Sequence, residues 1–111
     1  MHTLSVQPDI YQKIVSGVKT IEIRLNDEKR QLLKVGDPLI IQKEPDRYEN
    51  LRATITDLIT ANSFKELLKV AKVEDCGFDS EQECLETLRK FYSEESEKYY
   101  GVVGIKIKIN N

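Results

Sequence analysis

Gly17-Val18-Lys19-Thr20-Ile21-Glu22-Ile23-Arg24 is the stretch on which the reading of this chain turns. Before it, Pro8 suits the first turn of a helix, and Ile10, Tyr11, Ile14 and Val15 recur at helical spacing up to Gly17, a natural stop. From Val18 to Leu25 the period becomes two, with Ile21, Ile23 and Leu25 on one side and Thr20, Glu22 and Arg24 on the other. This pattern predicts a half-buried strand with a polar face. Glu22 and Arg24 share that face about 7 Å apart, close enough to pair or to share a ligand. Lys19 has the opposite parity, so it can join them only if the chain is still turning out of the helix there. An ordinary exposed strand carries the same residue types, so spacing alone favours a solvated face.

Working outward, Thr3 to Gln7 reads as a strand with Leu4 and Val6 on one side. Asn26 to Lys34 is a polar loop with at most one helical turn, and Val35-Gly36-Asp37-Pro38 is a turn into the apolar run Leu39-Ile40-Ile41. After a polar connection from Glu44 to Asn50, Leu51, Ala53 and Ile55 alternate with Arg52, Thr54 and Thr56 in a further strand. The first half therefore reads as a β-meander interrupted by one helix. Ser63-Phe64-Lys65-Glu66 and Ser80-Glu81-Gln82-Glu83 each match a capping box, in which the serine caps the helix and the glutamate bonds back. The first helix would bury Phe64, Leu67, Leu68 and Ala71, and the second Cys84, Leu85, Leu88 and Phe91. Tyr99, Val103, Ile105, Ile107 and Ile109 line one side of a long terminal strand that shows Lys106 and Lys108 on the other.

The 111 residues suffice for one domain, 1–111, and no repeat or linker divides them. With 17 Lys+Arg against 19 Asp+Glu and a net charge of −2, nonspecific coating of nucleic acid is excluded, because it needs a basic footprint. The charge is uneven: Glu74 to Glu97 carries a balance of −7, which leaves +5 for the remainder and room for a small basic pocket. No apolar run reaches the ~18 residues of a membrane span, and the first residues lack a signal-peptide pattern, so a soluble, cytoplasmic protein is expected. One histidine and two cysteines rule out zinc clusters and multi-disulfide scaffolds. Cys76 and Cys84 read as free thiols, and no glycine-rich phosphate cradle or metal site suggests a cofactor.

The chain resembles the ASCH domain of the PUA-like superfamily, whose opening pattern is a short strand, a Gln-Pro or similar dipeptide, a helix, and Gly-x-Lys-x-x-Glu-x-Arg. Here these stand as Leu4-Ser5-Val6-Gln7-Pro8, then Ile14-Val15-Ser16-Gly17, then Lys19, Glu22 and Arg24. The resemblance continues through Val35-Gly36-Asp37, Ser63-Phe64-Lys65-Glu66-Leu67-Leu68, Leu88-Arg89-Lys90-Phe91-Tyr92 and Tyr100-Gly101-Val102-Val103-Gly104-Ile105, in order and over nearly the whole chain. It implies an α+β fold, a small, partly open β-barrel of about five to six strands flanked by about three helices. It also implies a cleft beside the barrel that receives RNA or a nucleotide-like ligand, with Lys19, Glu22, Arg24, Gln7 and Tyr100 as the residues expected to bind it.

The side chains suit that expectation. Arg24 offers a planar fork for a phosphate or a base edge, Lys19 a point charge, and Glu22 an acceptor for a base's exocyclic amine or a brace for Arg24. Tyr11, Tyr99 and Tyr100 could stack on bases, although tyrosines at such positions more often belong to a core with the hydroxyl outside. Some ASCH proteins are amidohydrolases that deacetylate acetylated cytidine with a Lys, a Thr three residues later and a Glu from further along. Lys19 matches the first, but Glu22 stands where the Thr should be, and Thr20 points the other way on a regular strand. An enzyme would then rest on Lys19 and on Glu22 activating a water, with Glu74, Asp75 and Asp79 as candidates for the later carboxylate. Binding of RNA, a nucleoside or a nucleotide is the leading expectation, an amidohydrolase the alternative. A protein-interaction module using the acidic segment Glu74 to Glu97 is a further one, set against the plainer reading of a solvated helix face.

Overall fold

A computed structural model describes residues 1–110. The chain runs β1 (His2–Val6), α1 (Pro8–Val15), β2 (Ile21–Leu25), a 3₁₀ turn (Arg30–Leu32), β3 (Pro38–Lys43), β4 (Asn50–Ala61), α2 (Phe64–Leu67), α3 (Glu81–Phe91), α4 (Glu94–Tyr100) and β5 (Val102–Ile109). The five strands form one sheet in the order β1-β3-β4-β5-β2, curled into a half-barrel, which is the α+β, PUA-like architecture expected.

The order of strands departs from a meander. β1 pairs in parallel with β3, Leu4 opposite Ile41, while β2 lies at the far edge, antiparallel to β5 with Ile23 opposite Gly104. A parallel neighbour requires a crossover, and α1, β2 and the 3₁₀ turn supply it. Periodicity reports which face of a strand is buried, not which strand lies beside it. β4 is long enough to pair with both β3 and β5, and a register shift between Ile55 and Asp57 gives it the extra bend that a curled sheet needs.

Two cores result. Leu4, Val6, Tyr11, Ile14, Leu39, Ile41, Ile55 and Ile105 pack between the concave sheet and α1. Ile21, Ile23, Phe64, Leu67, Cys84, Leu88 and Val102 pack between β2, β5 and the helices that follow β4. Phe64 is fully buried, a placement that stabilises the fold by ~1.5–3 kcal/mol relative to exposure.

The capping serines act as read: Ser63 Oγ accepts from the Glu66 N–H and Ser80 Oγ from the Glu83 N–H, both at 3.1 Å. Each box forms only that half, since neither glutamate bonds back; Glu66 instead accepts from Lys69. Two expectations fail. Phe91 is 69% exposed rather than buried: it shares the Cys84–Leu88 stripe but stands at the last residue of α3, on the rim of a cavity. Tyr99 belongs to a fourth helix rather than to the last strand, and it too is exposed. That helix escapes periodicity because its buried residue is an acid, Glu97.

Candidate functional site

The site begins where α1 gives way to β2. Gly17, at φ +83°, turns the chain out of the helix, and regular pairing begins only at Ile21. Lys19 therefore lies in a bend, not on the strand, and its parity no longer separates it from Glu22. A distant loop holds the bend. Three consecutive carbonyls reach it: Asp75 O accepts from the N–H groups of Thr20 and Ile21 at 2.8 and 3.0 Å, Cys76 O from Lys19 Nζ at 2.6 Å, and Gly77 O from Lys13 Nζ at 2.8 Å. Gly77 has φ +88°, and a Cβ there would stand 3.1 Å from Lys19 Cδ, so glycine lets the loop close over the lysine stem.

The expected polar face is buried. Lys19 is 3% exposed and Glu22 8%. Lys19 Nζ lies 3.1 Å from Glu22 Oε1, and Arg24 Nε and Nη2 donate to Glu22 Oε2 at 3.2 and 2.8 Å. Arg24 Nη2 also donates to Ser5 O of β1 at 3.0 Å, across the open side of the half-barrel. Lys19 Nζ sits 5.7 Å from the centroid of the Phe78 ring, within cation–π range.

Burial alone would raise the Glu22 carboxyl, but Lys19 and Arg24 outweigh it and hold the group below its ordinary value. In the same way burial opposes the Arg24 charge, while Glu22 overrides it and raises that group. The cluster thus sets two basic side chains, Lys19 and Arg24, against one carboxylate. A carboxylate held below its ordinary value is a weaker proton acceptor than a free one, which argues against Glu22 as a general base.

A cavity of about 190 Å³ opens onto this cluster, lined by Ser5, Gln7, Phe78, Thr87, Phe91 and Tyr92 besides the three charged residues. Gln7 is thus brought to the site with Lys19, Glu22 and Arg24. Tyr100 is not: it borders a separate polar depression with Asn26, Asn62 and Tyr99, and its ring meets Tyr99 edge-on at 4.7 Å. Tyr11 is buried in the first core. Glu74, Asp75 and Asp79 do not line the cavity, and Glu22 is the only carboxylate that does among the described residues. Asp75 contributes its backbone carbonyl instead. Among the described residues no three potential metal ligands gather.

Phe78, Thr87, Phe91 and Tyr92 were not legible as site residues. Phe91 shares the α3 stripe with Cys84 and Leu88, so the helix pattern marked it as core and gave no sign of the cavity rim. Cys76 and Cys84 are buried free thiols, and burial pushes them up to about 11 and about 12, so neither is a nucleophile at neutral pH. In the acidic segment Glu97 is buried, while Glu81, Glu83, Glu86, Glu94 and Glu95 are exposed. Among the described residues no helix is long and apolar enough to cross a membrane.

The family profile of the ASCH domain matches residues 4–110. Among solved structures, hypothetical protein PH0355 is 36% identical, with 97% of each chain covered and a TM-score of 0.82. Protein PF0455 from Pyrococcus furiosus is 34% identical over 97% of this chain and 96% of its own, with a TM-score of 0.74. The ASCH protein from Zymomonas mobilis superposes with a TM-score of 0.68 over 96% of this chain and 65% of its own, at 18% identity, a likeness of fold. No curated protein matches the chain.

Proposed function

The chain belongs to the ASCH domain family, and from that premise we propose that it binds RNA, or a nucleoside or nucleotide, holding one unit of the ligand in the cleft with Lys19, Glu22 and Arg24. The family is linked to RNA binding. The observation that carries the reading is the buried cluster itself: two cations on one carboxylate, at the floor of a cavity with aromatic side chains in its wall. Burying charge is costly, and a cluster left with surplus charge facing a cavity is better explained by a ligand than by stability. The size narrows the ligand further. Pockets for drug-sized molecules enclose ~300–1,000 Å³, so about 190 Å³ suits a single ring rather than a length of strand. An RNA would place one unstacked base there, with Phe91 or Tyr92 beside it.

The test is titration calorimetry of short single-stranded RNAs, nucleosides and nucleotides against the wild type and Arg24→Ala, with melting curves as the control for folding. Arg24→Ala should bind about tenfold to a hundredfold more weakly, the usual range for losing a charged hydrogen-bond donor. Equal affinity in the two proteins, or no binding to either, would overturn the reading.

A further inference from the structure

We infer that the cleft selects its ligand by an acceptor edge, a ring presenting carbonyl oxygens such as uracil, and discriminates against rings that present an amine there, such as cytosine. This deepens the proposed function and rests on it.

Arg24 has five N–H donors. Nε and Nη2 are spent on Glu22 Oε2 and Ser5 O, whereas Nη1 has no acceptor among the described residues. Lys19 has three donors, of which Cys76 O and Glu22 Oε1 take two. Up to three N–H groups, all on cations, therefore remain for a ligand. Acceptors at the floor are nearly spent. Glu22 Oε1 faces Lys19, Glu22 Oε2 accepts twice from Arg24, and Ser5 O accepts from Arg24. Glu22 is consequently engaged as a brace through both oxygens, and a base amine could reach only the lone pair that Oε1 keeps beside the Lys19 ammonium.

The neutral polar groups of the wall do not reverse this: the Gln7 amide carries both an acceptor oxygen and N–H donors, and the hydroxyls are equally two-sided. Thr87 and Tyr92 make no side-chain hydrogen bond among the described residues, so each can rotate to donate or accept. The bias set by the two cations is therefore what distinguishes ligands. A carbonyl oxygen meets a donor there, while an amine brings a hydrogen toward positive charge and leaves its own N–H buried without a partner, which is the costly arrangement. The Phe78, Phe91 and Tyr92 rings in the wall favour a flat ring as the bearer of that oxygen over a bare anion.

Uridine and cytidine are the decisive pair: at C4 a carbonyl stands against an amine and at N3 an N–H against a bare acceptor, so uridine presents two ring carbonyl oxygens where cytidine presents O2 and N3 with its amine beside them. In competitive titrations at one ionic strength, uridine should bind the wild-type chain roughly fivefold to a hundredfold more tightly than cytidine. Arg24→Lys keeps the charge but removes the fork, so it should reduce this ratio while leaving the chain folded by its melting curve. Lys65→Ala, an exposed position on α2 outside the cavity lining, should leave the ratio in place. Cytidine binding as well as or better than uridine, with the Arg24 dependence intact, would overturn the acceptor-edge inference and leave the nucleoside reading standing. Inorganic phosphate or acetate competing as strongly as uridine would overturn it in favour of a simple anion site. Failure of every nucleoside and RNA to bind would remove both.

Discussion

Glu22 and Glu97 are equally buried, at 8% exposure each, and the difference between them separates a candidate site from a scaffold. Glu97 Oε1 takes Arg89 Nη2 at 2.6 Å and Oε2 takes the Phe64 N–H at 2.7 Å. One carboxylate meets one cation and one orphan amide at the start of α2, so α4 is fastened to the helix that opens the second core. Both oxygens are used and neither residue lines the Lys19 cavity. Glu22 instead meets two cations, both of which still have unused donors, beside a cavity. A balanced buried charge joins elements, whereas an unbalanced one facing empty space has capacity left for something that is not protein.

The sharpest way to break this comparison is to remove each acid in turn. Glu22→Ala leaves Lys19 and Arg24 buried without their counter-charge and should cost about 3–5 kcal/mol in urea unfolding, together with ligand binding. Its pH dependence has a definite sign. Because the folded carboxyl lies below its ordinary value of 4.5, its contribution is complete above about pH 4.5 and is lost as pH falls through the folded value. Stability curves should therefore decline less steeply below about pH 4.5 in Glu22→Gln than in the wild type. Equal slopes would mean that the cluster is not coupled as the distances suggest.

Glu97→Ala comes next. It strips the Phe64 N–H of its partner and should cost about 1–3 kcal/mol, with the smaller end favoured by the 40% exposure of Arg89. Affinity for nucleoside should not change, and a loss of affinity would show that the two clusters are not independent. Smallest is Gly77→Ala. A left-handed residue and a Cβ 3.1 Å from Lys19 should cost about 1–2 kcal/mol and weaken binding by shifting the lysine. A loss of stability with unchanged binding would make the Asp75-Cys76-Gly77 carbonyls scaffold alone.

Much of this was legible in the sequence. The motif residues Lys19, Glu22 and Arg24 do converge, and Pro8, Gly17, Ser63 and Ser80 act where local chemistry places them. Local signals were reliable because their physical cause lies within a few residues. Strand parity told against Lys19, and only a carbonyl loop more than fifty residues away releases it from that parity. Phe78, Thr87 and Tyr92 reach the cavity by the same kind of long-range placement, for which spacing has no signature. Helix α4 was missed for another reason. Its sequence EESEKYY has no apolar stripe, and its cues were a capping Ser93 and Gly101 at φ +71°.

The hydrogen bond from Arg24 to Ser5 O has a thermodynamic consequence. β1 and β2 are the two ends of the sheet, so this single side chain spans the gap where the barrel fails to close. A molecule that grips the same guanidinium is held by both ends at once, and its binding energy becomes resistance to unfolding of the whole shell. At a hundred times its dissociation constant such a ligand adds ~2.7 kcal/mol to stability. Heat can thus serve as the assay: a rise in melting temperature that disappears in Arg24→Ala would pick out the cognate ring from a panel without any knowledge of its chemistry.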